Sequence, residues 1–149
     1  MTILEILKSD MATSMKSGDV PRTGVIRLLR SSMQNEAIKL GHELSEEETL
    51  KVLQREAKQR RDSMTQYSLA DRQDLIDIEA AELDVITAYL PEALSEAELE
   101  AIVDGVIARL GATDMKQMGA VIGLAMKEVG ARAEGGAVSA IVKAKLANS

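Results

Sequence analysis

Two tyrosines, Tyr67 and Tyr89, are the entire aromatic supply of this 149-residue chain, which contains no Phe, Trp or Cys. A core without rings must be filled by Leu, Ile, Val, Met and Ala, side chains that suit closely packed helices. The same poverty leaves almost no platform on which bases can stack, which disfavours RNA-recognition sheets and OB-type readers. The missing cysteines exclude disulfides, thiolate metal sites and cysteine nucleophiles.

Helical periodicity runs from end to end, and no segment alternates strictly in β-branched residues. Thr2 is placed to cap a first helix with an apolar face of Leu4, Leu7, Met11 and Met15, ended by Gly18. Pro21 suits the first turn of a second helix, with Val25, Ile26, Leu29, Met33, Ala37 and Leu40 on one side and Gly41 at its end. Ser45 with Glu48 forms a capping box for a third, in which Leu50, Leu53, Ala57, Met64 and Tyr67 repeat at helical spacing. Arg60 falls in that stripe where an apolar residue is expected. A fourth helix is predicted from about Leu69 to Leu90.

Leu90-Pro91 is the strongest punctuation, and Ser95 with Glu98 makes a second capping box just beyond it. Three shorter helices are predicted after it: Leu99 to Leu110, about Met115 to Val129 with Asp114 as cap, and about Gly136 to Leu146. Gly111, Gly119, Gly123, Gly130, Gly135 and Gly136 are read as helix ends or close helix contacts. The predicted fold is all-α, a bundle of four helices over residues 1–90 followed by a small three-helix domain over residues 91–149.

At 46% hydrophobic and 28% charged, the composition is that of a globular chain. No apolar run reaches the roughly 20 residues that span a bilayer. The N-terminus lacks the pattern of a signal peptide, so a cytoplasmic address is expected. A net charge of −6 opposes a general pull toward nucleic acid, yet the charge is polarised. Residues 49–61 carry five bases against one acid, and residues 62–104 carry twelve acids against Arg72 alone.

Few residues suggest chemistry. His42, the only histidine, lies in a turn, where it reads as solvated rather than as a base or metal ligand. Glu46, Glu47 and Glu48 complement a helix dipole. Ser31-Ser32 lies inside a helix, without the glycine-rich setting and lysine of an amidase. No metal site and no cofactor are expected. The stretch Gly130 to Gly136 lacks the ending of a P-loop and follows a helix, although Arg132 beside a helix start suits a phosphate. Lys51, Arg55 and Lys58 share a helix face, with Arg61 one step along, and Arg22, Arg27 and Arg30 on the neighbouring helix extend this second anion-binding candidate. The competing reading pairs these bases with the acids Asp71 to Asp84 of the following helix.

Three stretches resemble the GatB/YqeY family: Val25 to Arg30 continuing through Gln34 to Ile38, Tyr89-Leu90-Pro91-Glu92-Ala93-Leu94-Ser95, and Met118 to Gly123 continuing to Gly130 through Gly135. With Arg55 to Ser63 between them, they cover nearly the whole chain, as in a stand-alone YqeY-like protein. The resemblance implies a helical N-terminal bundle and a module similar to the tail of the B subunit of tRNA-dependent amidotransferases, a tail implicated in holding tRNA. It also implies a label of carbon–nitrogen ligase with glutamine as amido donor. The cradle carrying that chemistry in the B subunit, and the separate amidase subunit, have no counterpart here, so the chain is not expected to catalyse amidation alone. Family members often carry a proline and further lysines where this chain has Leu124 to Val129. The bases that remain as RNA-binding candidates are Lys116, Lys127, Arg132, Lys143 and Lys145. The expected partner is tRNA or a tRNA-charging or amidating enzyme, and the alternative is a protein-interaction adaptor with no nucleic-acid role. No membrane partner is expected.

Overall fold

A computed structural model describes residues 1–148. The described residues are all-helical: α1 (Ile3–Ser17), α2 (Val20–Leu40), α3 (Glu46–Leu69), α4 (Gln73–Thr87), α5 (Glu96–Leu110), α6 (Met118–Val129) and α7 (Gly135–Ala147), with single 3-10 turns at Met115–Gln117 and Gly130–Arg132. They form two compact units, Met1–Leu90 and the chain from Pro91 onward. The first contains α1 to α4 and the second α5 to α7.

Local chemistry sets the helix ends of the first unit. Thr2 and Ser45 each accept from the amide three residues on, and Glu5 and Glu48 return the bond, completing two capping boxes. The amide of Ser45 holds the Glu48 carboxyl below the usual carboxylate range. Gly18 and Gly41 close α1 and α2 with left-handed backbone, which a glycine adopts without steric cost. The core is aliphatic: Leu7, Ile26, Leu29, Met33, Leu53, Ala57 and Ile86 are fully or almost fully buried.

Three expectations for this unit are corrected. Met15 is 56% exposed and Leu40 41% exposed, so neither belongs to a buried face. Ser14 takes the buried position beside Met15, accepting a 3.1 Å hydrogen bond from Thr23 and letting α1 and α2 approach closely. Leu69 belongs to the end of α3, not to α4. The chain turns at Ala70–Arg72, with Asp71 at φ +55°, a left-handed conformation that Asp tolerates better than most residues. Arg72 then grips Asp74 through two nitrogens at 3.1 and 3.0 Å.

Arg60 is buried despite its charge. Its guanidinium lies 2.5 Å from Glu56 and 3.7 Å from Glu82 of α4, while Ser32 of α2 donates to the other Glu56 oxygen at 2.9 Å. This network spans three helices. It satisfies the charges that a break in the apolar stripe brings inside, which is the condition for tolerating them there.

In the second unit, Val103, Val106, Val121, Ala125, Val129, Val138 and Val142 pack together. Ser95 accepts from the Glu98 amide at the start of α5. Asp114 and Gln117 make a capping box, but for the 3-10 turn that precedes α6 rather than for α6 itself. Gly111 and Gly130 have positive φ at the ends of α5 and α6, whereas Gly119 and Gly123 make no close helix contact. A β-carbon built on either meets nothing within 4 Å.

Candidate nucleic-acid interface

A cation that already faces a carboxylate exchanges that partner to reach a phosphate, so an unpaired cation gains more from the contact. On α3, that distinction sets aside most of the basic run. Lys51 lies 3.8 Å from Glu47, and Lys58 lies 2.8 Å from Asp62, both one helical turn away. Arg55 reaches across to Glu36 of α2 at 3.2 Å. Arg61 is exposed but also engaged. The competing expectation, that the bases of this run, Arg60 included, pair with the acids of α4, is met at Arg60, which reaches Glu82. Lys51, Arg55 and Lys58 find partners on α3 itself or on α2, and Arg60 supplies the link to Glu82.

The second unit distributes its bases differently. Lys145 lies 2.9 Å from Asp104 of α5, and that hydrogen bond holds its ammonium above the ordinary lysine range. The Arg132 guanidinium turns back to donate to the Glu128 carbonyl at 3.2 Å, capping the end of α6. Lys116, Lys127 and Lys143 are exposed, and among the described residues none has an acid within ion-pair distance.

Lys116 and Lys127 are related by the helix between them. On α6, positions 120, 123 and 127 step by three and four residues and share a face, and Lys116 lies in the 3-10 turn just before the helix. Ala120 and Gly123 on this face are exposed and carry almost no side chain, and Gly119 lies at its edge. The result is a smooth strip that carries the free ammonium group of Lys127, with that of Lys116 in the turn leading into the helix. Nearby acids are committed elsewhere: Glu128 pairs with Arg109, and Asp114 accepts from the backbone amide of Lys116. The spacing of Lys116 and Lys127 was legible in the sequence. The openness of the glycines between them was not.

His42 has Nδ1 at 2.7 Å from the Glu43 carbonyl and Nε2 at 3.5 Å from Glu48. Of the paired serines, Ser32 is bonded to Glu56 and Ser31 is exposed. A cleft of about 400 Å³ along α3 and α4 is lined by Arg60, Asp62, Glu79 and Glu82, with Gln59 and Ser63. Among the described residues no group of three or more His, Asp or Glu side chains is arranged to hold a metal, and no helix is long and apolar enough to cross a membrane.

Residues 4–146 match the family described as YqeY-like protein. The chain belongs to that family. This YqeY-like chain is also similar to fungal proteins named altered inheritance of mitochondria protein 41, mitochondrial. It is 27% identical to the protein of Pyrenophora tritici-repentis over 88% of this chain and 73% of the relative. It is 32% identical to that of Lachancea thermotolerans, over 70% of this chain and 57% of the relative. With Saccharomyces cerevisiae strain S288c the figures are 28% identity, 65% and 53%. The match thus spans little more than half the length of two of these relatives.

Proposed function

We propose that this chain is a non-catalytic accessory module that holds RNA of the tRNA class, or a tRNA-charging or amidating enzyme together with its tRNA. The observation that carries the reading is the α6 face smoothed by Ala120 and Gly123, with Lys127 unpaired on it and Lys116 unpaired in the turn before the helix. Two point charges at a bare helix face suit a phosphate backbone, which can lie close where no side chain intervenes. Lys143 adds a third unpaired cation to the unit, while Arg132 and Lys145 play structural parts.

The resemblance to the amidotransferase tail supports the same reading, with four helices acting as a bundle and three as the binding module. The carbon–nitrogen ligase label then describes the relatives' complex, in which this module is a holder and the chemistry belongs to other subunits. The location we propose is the cytoplasm. The mitochondrial names of the fungal relatives extend the proposal to organelles that run their own tRNA metabolism.

The test is equilibrium binding of a tRNA transcript at several salt concentrations. Affinity should fall as salt rises, because phosphate contacts release counterions. Lys116→Ala and Lys127→Ala should each weaken binding while the helical spectrum stays unchanged. Binding insensitive to salt, or to both substitutions, overturns the reading.

A second reading, a protein adaptor without RNA, is favoured by one feature of the first unit. Leu69 and Ile78 are 79% and 57% exposed among Asp71, Asp74 and Asp77, a surface suited to a basic polypeptide. Capture of a protein partner with no RNA requirement supports that reading instead.

A further inference from the structure

We infer that the α1–α2 face of the N-terminal unit carries a second phosphate-contacting row, Arg27, Arg30 and Lys8, separate from the α6 strip. The inference rests on the RNA-holding reading above and adds to it a site in the other unit.

The row follows from the register of the two helices. They are joined by the short turn at Gly18–Asp19 and run antiparallel, with Thr23 bonded to Ser14 and Arg30 leaning onto the Met11 sulfur at 3.4 Å. With Ser14 and Thr23 level, Arg30 comes opposite Leu7, and its side chain reaches along α1 to Met11. Lys8 is the next residue on α1, and Arg27 lies one turn back along α2. The three cations gather within about 5 Å along the axis, at 1.5 Å per residue. Lys8 and Arg27 are exposed, and Arg30 is partly so.

Every acid on these helices already has a partner. Glu5 caps α1 through the Thr2 amide, and Asp10 accepts from Tyr89 with Arg22 beside it. Asp19 caps α2 through the Arg22 amide, and Glu36 holds Arg55. Among the described residues, no carboxylate lies within 4.0 Å of Lys8, Arg27 or Arg30. Residues 1–42 carry six bases against four acids, whereas the rest of the chain carries twelve bases against twenty acids. The row is thus the unanswered part of a locally positive segment in a negative protein.

Its chemistry favours phosphates. Two of the three groups are guanidiniums, whose planar donor sets match phosphate oxygens, and Arg30 spends one nitrogen on a weak sulfur contact and keeps the rest. A cluster of unpaired cations on one face suits the closely spaced phosphates of a nucleic-acid backbone.

The experiment measures binding of a tRNA transcript to the full chain as a function of salt. Compared are the wild type, the triple variant Lys8→Gln, Arg27→Gln, Arg30→Gln, and the double variant Lys116→Ala, Lys127→Ala. The slope of log affinity against log salt should shrink by about 0.7 to 0.9 for each contact removed, so by about 2 to 3 in the triple variant. The double variant should lose its own increment independently. If the triple variant does not fold, Arg27→Gln alone, at an exposed position, should lose one increment. A wild-type slope in the folded triple or single variant overturns this inference and leaves the α6 reading standing. Absence of RNA binding by the wild type overturns both. Displacement of the RNA from this row by poly-glutamate at equal charge concentration would assign the face to an acidic polypeptide and overturn the phosphate assignment.

Discussion

Arg55 on α3 donates to Glu36 on α2 across a 3.2 Å hydrogen bond, so a guanidinium from the most basic stretch of the sequence is answered from the neighbouring helix. One turn to either side the partners are on α3 itself, where Lys51 meets Glu47 and Lys58 meets Asp62 on the exposed surface. The densest basic run is therefore a set of ion pairs. Unpaired cations lie where the sequence is less basic, on α1, α2, α6 with the turn before it, and α7.

Removing the paired bases should leave RNA binding nearly untouched. Lys51→Ala, Arg55→Ala and Lys58→Ala should each change tRNA affinity by less than about twofold. Each should cost at most about 1 kcal/mol of stability, the usual scale for exposed ion pairs. Binding titrations and chemical denaturation on the same samples check both. A large affinity loss in Lys58→Ala would return the α3 patch to consideration.

Breaking the buried network should have the opposite profile. Arg60→Met leaves Glu56 charged and buried with Ser32 as its remaining partner, a change expected to cost about 3–5 kcal/mol. Glu56→Gln combined with Arg60→Met should lose less than Arg60→Met alone, because no charge is then stranded. Urea unfolding of the two variants measures the difference.

The sequence reached some of this and missed the rest for identifiable reasons. Capping at Thr2 and Ser45, the helix stops at Gly18 and Gly41 and the aliphatic core follow from local chemistry, which a sequence displays directly. Arg60 was visible as a fault in an apolar stripe, but its answer came from Ser32 and Glu82, on two other helices. Lys8 had no signal of its own, because its place beside Arg30 depends on the α1–α2 register. Glycine spacing alone did not distinguish a close helix contact from an open surface, and Gly119 and Gly123 prove to be the latter.

Those glycines give a test in which stability and binding part company. Gly123→Ala adds a methyl that meets nothing within 4 Å and removes a helix-interior glycine, so it should stabilise the fold by about 0.5–1 kcal/mol. The same methyl should weaken tRNA binding if phosphates lie against the strip. Gly130→Ala, at φ +55°, should destabilise instead. Thermal unfolding and RNA titration of both variants read the two effects separately.

Alkaline stability should report on Tyr89. Burial, and then its 2.6 Å hydrogen bond to Asp10, push the phenol from 10.0 up to about 12. The unfolded chain releases this proton near pH 10 while the folded chain keeps it. The stabilisation is therefore complete below pH 10 and lost as pH rises through about 12. Tyr89→Phe should flatten the decline over that interval, and ultraviolet titration of the wild type should show a tyrosine ionising near its top.

Ultraviolet cross-linking of the full chain in cells, followed by identification of what is attached, separates an RNA holder from a protein adaptor. An RNA holder gives tRNA enriched over other RNA, with the yield reduced in the Lys116→Ala, Lys127→Ala double variant. Attachment to polypeptide alone, with no RNA above background, would contradict that reading.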